Sequence, residues 1–204
     1  MLLIWHDFMA TKRPIILASS SQSRRKQLSR LGIEFDIAKP EIDEKPHAGE
    51  NATRLVTRLS EEKAHKVALS HATGLIIGGD QTAEFDGEFL SKPGSRANAI
   101  AQLSRLSGRV VTFVSGLCVL DAYSGRATTT AIECTVKFRA LSAEQVENYI
   151  DYDEPFQSAG SFKAEQAGIG LFEYMRSDDP SAITGMPLIA LVSLLEKHGY
   201  RLFS

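Results

Sequence analysis

The chain has 204 residues, of which 43% are hydrophobic and 24% charged, as is ordinary for a soluble globular enzyme of one large or two-lobed domain. Its formal net charge of −2 argues against nucleic acid or an anionic membrane as the main partner. Its two cysteines, Cys118 and Cys134, lie in apolar, strand-like stretches, which favours buried thiols in a reducing compartment over a disulfide framework.

The N-terminal stretch, MLLIWHDFMATKRP, begins with a short apolar run that His6 and Asp7 interrupt. No basic segment precedes that run, which argues against a signal peptide, and the run is too short to span a membrane. We therefore expect residues 1–13 to be an extension that need not be ordered, with Met1 or Met9 as the natural start. A single two-lobed catalytic domain at 14–204 of a cytoplasmic protein is expected to follow.

Strands and helices alternate through the first half of the chain. The apolar run 14–19 predicts a buried strand, and a helix ending at a glycine is predicted over 23–32. A strand-like stretch at 35–44 breaks at a proline. Apolar residues at helical spacing predict a long amphipathic helix over 50–71, and 74–80 predicts another buried strand.

Turn and capping signals organise the second half. Asp86 and Gly87 are the residue pair that a two-residue hairpin prefers. Ser142 and Gln145 form the pattern of a helix capping box. The remaining predicted elements are a helix over 95–108, long β-rich segments at 109–125 and 127–141, and a helix over 187–199. The order predicts a mixed α/β (α+β) domain around an elongated mixed sheet.

The stretch ILASSSQSRR, residues 16–25, predicts an anion cradle. A buried strand ends in three serines, and two arginines follow at a helix start, where free N–H groups and a guanidinium suit phosphate oxygens. The alternative is an N-cap serine with two solvated arginines. The stretch has neither the P-loop lysine spacing nor a dinucleotide glycine fingerprint, which excludes those two standard nucleotide sites.

The stretch IIGGDQTAEFDGEFLSKP, residues 76–93, places Asp80 at the end of a buried strand, behind two glycines. Ligand clefts usually lie at such strand ends, so Asp80 is a candidate to bind a metal, orient a water or cap the next turn. Asp86 is explained by its hairpin turn. Lys92 precedes a proline that holds it extended, and by itself it fits a solvated lysine equally well.

The stretch at 159–187 is rich in glycine and polar residues. A loop of this length in a compact domain is more often functional than idle. Lys163 and Glu165 stand out in it as possible ligand contacts.

These stretches together resemble the Maf family of nucleoside triphosphate pyrophosphatases, from residue 14 to 196 without large gaps. The motifs that carry the resemblance are ILASSSQSRRKQLSRLG, PEIDE, RLSEEKAHKVA, IIGGDQTAEFDGEFLSKP, SGRVVTFVSGLCV and SAGSFKAEQAGIGLFEYMRSDDPSAITGMPL. Within the family, the pair Asp80-Gln81 and the motif AGSFKAE are similar to the 7-methyl-GTP branch. The dTTP/UTP branch instead has Asp-Thr after the strand.

The resemblance implies a two-lobed fold with a cleft, a homodimer, and hydrolysis of a nucleotide to its monophosphate and pyrophosphate. It implies no nucleic-acid or membrane partner. It implies that Asp80 is catalytic and that Ser23, Gln81 and Glu165 select the substrate. It assigns phosphate binding to Ser19, Arg24, Lys63 and Lys92, and a divalent cation, Mg²⁺ or Mn²⁺, to Glu41 and Asp80.

Ser23 departs from the pattern, because the methylated-guanine branch can carry a tryptophan there, and an aromatic face would favour a cationic base. Another substrate (dTTP, UTP or a deaminated purine) is therefore an alternative. A non-catalytic nucleotide-binding regulator of growth or division is a second alternative, which would keep the phosphate cradle and not need Asp80. A haloacid-type phosphatase is disfavoured, since it needs a second aspartate where this chain has Thr82.

Overall fold

The computed structural model describes residues 13–203, which form one mixed sheet flanked by helices. The strands are β1 (Ile15–Ala18), β2 (Asp36–Ala38), β3 (Leu75–Phe85), β4 (Glu88–Phe89), β5 (Val110–Asp121), β6 (Ala127–Phe138) and β7 (Phe172–Arg176). The α-helices are α1 (Gln22–Ser29), α2 (Ala52–Ala68), α3 (Arg96–Leu106), α4 (Ala143–Asp153) and α5 (Leu188–Lys197). Two short 3-10 helices span Ala167–Leu171 and Pro180–Thr184. The extension predicted at 1–13 lies, apart from Arg13, outside the described residues.

The strand order of the sheet is β2-β1-β3-β5-β6-β7, with β4 added to β3. β1 is parallel to β2 and β3, and the other pairs are antiparallel. β1 accompanies β3 only as far as Gly78, and β4 begins to pair at Glu84. Within residues 13–203, the edge of β3 between these points has no strand beside it, and a cleft opens there.

Two separate apolar cores lie on either side of this cleft, and the long strands β3 and β5 contribute to both. One core joins β1 to α1 and α5 and includes Leu17, Leu28, Ile77, Leu117 and Leu191. The other lies among α3, α4, β5 and β6 and includes Leu103, Val111, Phe138, Ile150 and Phe172. The predicted two-lobed, mixed α/β fold with an elongated sheet is confirmed.

Two glycines set the distance between α2 and the sheet. A Cβ on Gly78 would lie 2.0 Å from the carbonyl oxygen of Ser60, and one on Gly116 would lie 2.2 Å from that of Val56. Real side chains do not tolerate such separations, so the backbone of α2 rests directly on these two positions. The next turn of the helix brings Lys63 over the end of the buried part of β3.

Local signals in the sequence identified several elements correctly. The Asp86-Gly87 hairpin joins β3 to β4, with φ of 51° and 79° at its two turn residues. The capping box of Ser142 and Gln145 has both of its hydrogen bonds. Cys118 and Cys134 are buried free thiols, and burial raises the pKa of each to about 11.

The stretch at 159–187 holds more regular structure than the sequence suggested. It contains β7 and both 3-10 helices. Four of the five residues of β7 are exposed or half-buried, so the strand lacks the apolar alternation by which a strand is recognised. Among residues 13–203, no helix has the length and apolar character needed to cross a membrane.

Candidate active site

The cleft between the two cores has a volume of about 900 Å³, which lies within the range of small-molecule sites. Of the residues that the sequence predicted for the site, it brings together Ser19, Ser23, Arg24, Lys63, Asp80, Gln81, Lys92 and Glu165. They come from α1, α2, β3 and three connecting segments. Glu41 is not part of the lining.

The centre of the cleft is a cluster of charges in which Lys63 and Asp80 are buried and Glu44 is exposed. The Nζ atom of Lys63 lies 2.6 Å from Oδ1 of Asp80 and 2.7 Å from Oε1 of Glu44. The side chain of Lys63 is 5% exposed and that of Asp80 12%. Burial by itself would raise the pKa of Glu44, but the hydrogen bond from Lys63 and the charges of Lys63, Lys92 and Arg24 lower it. The net effect favours the ionised form of Glu44.

Glu44, which the sequence analysis did not single out, occupies the place that was predicted for Glu41. The side chain of Glu41 is 78% exposed, and its ion pair is with Lys39, at 3.9 Å. Both glutamates belong to the motif PEIDE in an irregular segment, where no helical or strand period decides which one points inward. The contact of Glu44 with Lys63 depends on tertiary structure.

The donor chemistry of the cluster fits a divalent cation. Asp80 and Glu44 place two carboxylates on one ammonium, Lys63. Mg²⁺ is commonly held by one or two carboxylates together with substrate phosphates, rather than by a cage made only of protein. Within residues 13–203 no group of three or more histidine, cysteine, aspartate or glutamate side chains is placed to hold a metal.

The ILASSSQSRR stretch contains an N-cap serine, one exposed arginine and one arginine that lines the cleft. Ser21 is the N-cap of α1 and accepts a hydrogen bond from the backbone N–H of Arg24. Ser19 Oγ accepts from the backbone N–H of Ser21 at 3.1 Å and from Nη1 of Arg24 at 3.3 Å. Arg25 is exposed, whereas Arg24 points into the cleft. Burial lowers the pKa of the Arg24 guanidinium, and the charges of Asp80 and Glu44 oppose that effect.

The 3-10 helix Pro180–Thr184 closes the cleft next to β3. The Gln81 side-chain amide donates from Nε2 to the carbonyl oxygens of Ala182, at 2.9 Å, and Ile183, at 3.1 Å. Ser115, which is opposite Gln81 on β5, donates from Oγ to the same Ala182 oxygen at 2.7 Å. Because the amide nitrogen of Gln81 is engaged in this way, its carbonyl oxygen remains available as an acceptor.

Two α1 side chains hold the end of the same 3-10 helix. Ser23 Oγ donates to the carbonyl of Thr184 at 3.3 Å, and Nε of Arg24 donates to that of Gly185 at 2.8 Å. Ser23 and Gln81, which the sequence predicted to select the substrate, thus also fix this wall. Sequence reasoning missed Ser115 and the closing role of the 3-10 helix. The available signals were Pro180 at the helix start and Asp179 as its cap.

Three further polar side chains line the cleft from connecting segments. Glu165 and Lys92 are both exposed. Lys163 also lines the cleft, but its ammonium donates to the backbone carbonyl of Asp153 at the end of α4. The cleft lining therefore combines the cations Arg24, Lys63 and Lys92 with the acceptors Gln81 and Glu165.

Comparison with known proteins gives a consistent result. A family model described as Maf-like protein matches residues 14–198. A 7-methyl-GTP pyrophosphatase of Ralstonia nicotianae is 45% identical over 191 residues, which cover 94% of this chain and 98% of that protein. A 7-methyl-GTP pyrophosphatase of Cupriavidus metallidurans is 46% identical, covering 95% and 97%. The Staphylococcus aureus Ham1 protein has a similar fold, with a TM-score of 0.51 and 14% identity over 91% of this chain and 99% of that one.

Proposed function

The chain belongs to the Maf-like family, and from that premise we propose that it is a nucleoside triphosphate pyrophosphatase whose substrate is 7-methyl-GTP. Near-full-length identity of 45–46% to proteins of that name supports the activity. The observation in the structure that carries the proposal is the buried contact of Lys63 with Asp80, beside Arg24, in a cleft of nucleotide size.

The cations of the cleft neutralise the triphosphate. A nucleoside triphosphate carries about four negative charges near neutral pH, which repel a nucleophile and must be compensated for hydrolysis to proceed. Arg24 forms a fork for phosphate oxygens, and Lys63 and Lys92 provide point charges. Ser19 orients the guanidinium of Arg24 through the 3.3 Å hydrogen bond between them.

Asp80 orients the attacking water by accepting a hydrogen bond from it. The water oxygen forms a bond to the α-phosphorus while the bond from that phosphorus to the α,β-bridging oxygen breaks. Pyrophosphate leaves with the electron pair, and the water proton passes to the solvent or to a phosphate oxygen. Asp80 and Glu44, the latter in place of Glu41, would hold a Mg²⁺ or Mn²⁺ ion. Such a cation would supply charge neutralisation to the triphosphate.

Two acceptor groups of the cleft favour a guanine base. The carbonyl oxygen of Gln81 and the carboxylate of Glu165 match the N1–H and exocyclic amine of guanine, which are donors. The carboxylate of Glu165 also favours a cationic 7-methylguanine over the neutral base. Because Ser23 offers no ring for stacking, discrimination is carried mainly by Glu165.

The proposal also includes the assembly, the location and the partners of the enzyme. The protein acts as a homodimer in the cytoplasm, as the family resemblance implies, and takes a nucleotide rather than a nucleic acid or a membrane as its partner. The net charge of −2 supports the last point.

A substrate panel tests the proposal. The purified chain is incubated with canonical, methylated and deaminated nucleoside triphosphates, with Mg²⁺, with Mn²⁺ and with EDTA, and pyrophosphate is measured. We expect the highest kcat/KM on 7-methyl-GTP and no turnover in EDTA. A preference for UTP, dTTP or a deaminated purine would overturn the base assignment. Nucleotide binding without any turnover would favour the non-catalytic regulator.

A further inference from the structure

The segment that carries Glu165 is anchored just before that residue. The ring of Phe162 makes edge-to-face contacts with Phe113, Phe138 and Phe172, at centroid distances of 5.1 to 5.6 Å. Such contacts fix a ring in a packed core. The aromatic cluster therefore fixes the chain three residues before Glu165, but it does not orient the residues that follow.

Lys163 supplies the next attachment, to two residues of α4. Its backbone N–H donates to the hydroxyl of Tyr149 at 3.0 Å, and its ammonium donates to the backbone carbonyl of Asp153. The carbonyl oxygen of Lys163 in turn accepts from the backbone N–H groups of Gln166 and Gly168, each at 3.1 Å. Lys163 thus links the end of α4 to a tight turn whose second and third residues are Ala164 and Glu165.

The contact of Lys163 with α4 lies in a buried, polar environment, so its loss should lower the stability of the segment. Asp153 is 6% exposed, and its Oδ2 has no hydrogen-bond partner within the described part of the chain. The ammonium of Lys163 donates to the backbone carbonyl of this same buried residue. Burial, followed by the neighbouring Asp153, raises the pKa of the Tyr149 hydroxyl, which keeps it a neutral partner.

We propose that Lys163 is a positioning residue that sets nucleotide selectivity by holding Glu165 at the cleft. The inference rests on the proposed function, because it assigns Lys163 to the base-reading side of that site. It differs from the expectation that Lys163 contacts the ligand directly. The lysine acts through Glu165, because its ammonium is engaged by the backbone carbonyl of Asp153 at the end of α4.

The test compares Lys163→Met with Lys137→Met. The two lysines are matched, because Lys137 also donates from Nζ to a backbone carbonyl, that of Gly108, but lies outside the cleft lining. Lys163→Arg tests rescue by a residue that can keep the bond. The readouts are thermal stability, hydrogen exchange of the amides at 162–168 without nucleotide, and kcat and KM on 7-methyl-GTP and GTP.

We expect Lys163→Met to accelerate hydrogen exchange of the amides at 164–168. It should also lower the selectivity for 7-methyl-GTP over GTP by about tenfold, mainly through KM, because a group that contacts the base would be displaced. Lys137→Met should change neither, and Lys163→Arg should restore part of both. Combining Lys163→Met with Glu165→Gln should lower the selectivity no further than Glu165→Gln alone, since both act at one contact.

The failures of the inference and of the proposed function are distinguishable. If the wild type prefers 7-methyl-GTP and Lys163→Met keeps that preference, the inference is wrong and the function stands. An additive double variant would also overturn it, because Lys163 would then act separately from Glu165. If the wild type hydrolyses nucleotides without preference, the base assignment and the selectivity role fall together. If it hydrolyses none, the function fails, and the exchange rates alone decide whether Lys163 holds the segment.

Discussion

The ammonium of Lys63 lies 2.6 Å from Oδ1 of Asp80, although the two residues belong to different elements, α2 and β3. The contact exists because Gly78, two residues before Asp80 on the same face of β3, lets the carbonyl of Ser60 approach the sheet. The close packing of α2 on β3 therefore also places the buried cation beside the buried carboxylate at the strand end.

Replacing the central carboxylate should stop the reaction. Asp80→Asn keeps the side-chain size but removes the charge that orients water, so we expect kcat to fall by at least ~10²-fold, the scale of losing a general base. Thermal melting reports whether the fold survives. Asp86→Asn is the control, since Asp86 is exposed in the hairpin turn, and it should leave the rate unchanged. If Asp80→Asn kept more than half of the wild-type rate, Asp80 would have no part in the mechanism.

The close approach of α2 predicts that Gly78 tolerates no side chain. Gly78→Ala would place a methyl group 2.0 Å from the carbonyl of Ser60, so α2 must shift and carry Lys63 away from Asp80. We expect a loss of about 1–3 kcal/mol in the free energy of unfolding, typical of overpacking, together with reduced kcat. Gly170→Ala is the matched control, because its φ is not positive and its new methyl group would meet no atom within 4 Å beyond its chain neighbours. Equal stability and activity of the two variants would contradict the packing argument.

The parts of the fold that sequence reasoning predicted are those with local causes. The Asp86-Gly87 turn and the Ser142 capping box depend on residues within a few positions of one another. The choice between Glu41 and Glu44 has no such cause. It is decided by Arg58, which donates to the carbonyl of Lys45 at 3.1 Å and so places the irregular segment against α2.

The hydrogen bonds that hold the cleft wall could not be predicted from the sequence either. Gln81 and Ser115 both donate to the carbonyl of Ala182. A backbone carbonyl accepts hydrogen bonds whatever its side chain, so nothing in the residue types marks this contact. The family resemblance implies a role in substrate selection for Gln81. It implies no role for Ser115, although Ser115 lies within the motif SGRVVTFVSGLCV.

The ion pair of Arg58 with Glu50 predicts a pH dependence of stability. Two hydrogen bonds of 2.8 Å join them, and the hydrogen bond from Arg58 lowers the pKa of Glu50 from 4.5 to about 2. A carboxyl group with a lowered pKa stabilises the fold at pH values above its pKa in the unfolded chain. That stabilisation is lost as the pH falls through its pKa in the folded protein. Urea unfolding should show Glu50→Gln about 1 kcal/mol less stable than wild type at pH near 7, on the scale of a partly exposed ion pair.

That difference should shrink between pH 4.5 and about 2, the two pKa values of Glu50. Glu84→Gln, at an exposed position of β3, is the control for the substitution itself. A Glu50→Gln deficit that stayed constant down to pH 2 would show that the charge of Glu50 does not stabilise the fold.

The carboxylate of Glu165 should carry the preference for a cationic base. Glu165→Gln keeps the shape but removes the charge, so kcat/KM should fall more on 7-methyl-GTP than on GTP, by about tenfold, equivalent to about 1.4 kcal/mol. Steady-state kinetics on the two nucleotides measures the ratio. Glu173→Gln, on an exposed position of β7, is the control. An unchanged ratio in Glu165→Gln would assign base selection to other residues.

The central claim is that water attacks the α-phosphorus of a nucleoside triphosphate. The most direct measurement is hydrolysis of 7-methyl-GTP with Mg²⁺ in water labelled with heavy oxygen, followed by mass spectrometry of both products. We predict 7-methyl-GMP that carries the label and unlabelled pyrophosphate. Label in the pyrophosphate would place the attack on the β-phosphorus, and release of inorganic phosphate with a nucleoside diphosphate would contradict the pyrophosphatase assignment altogether.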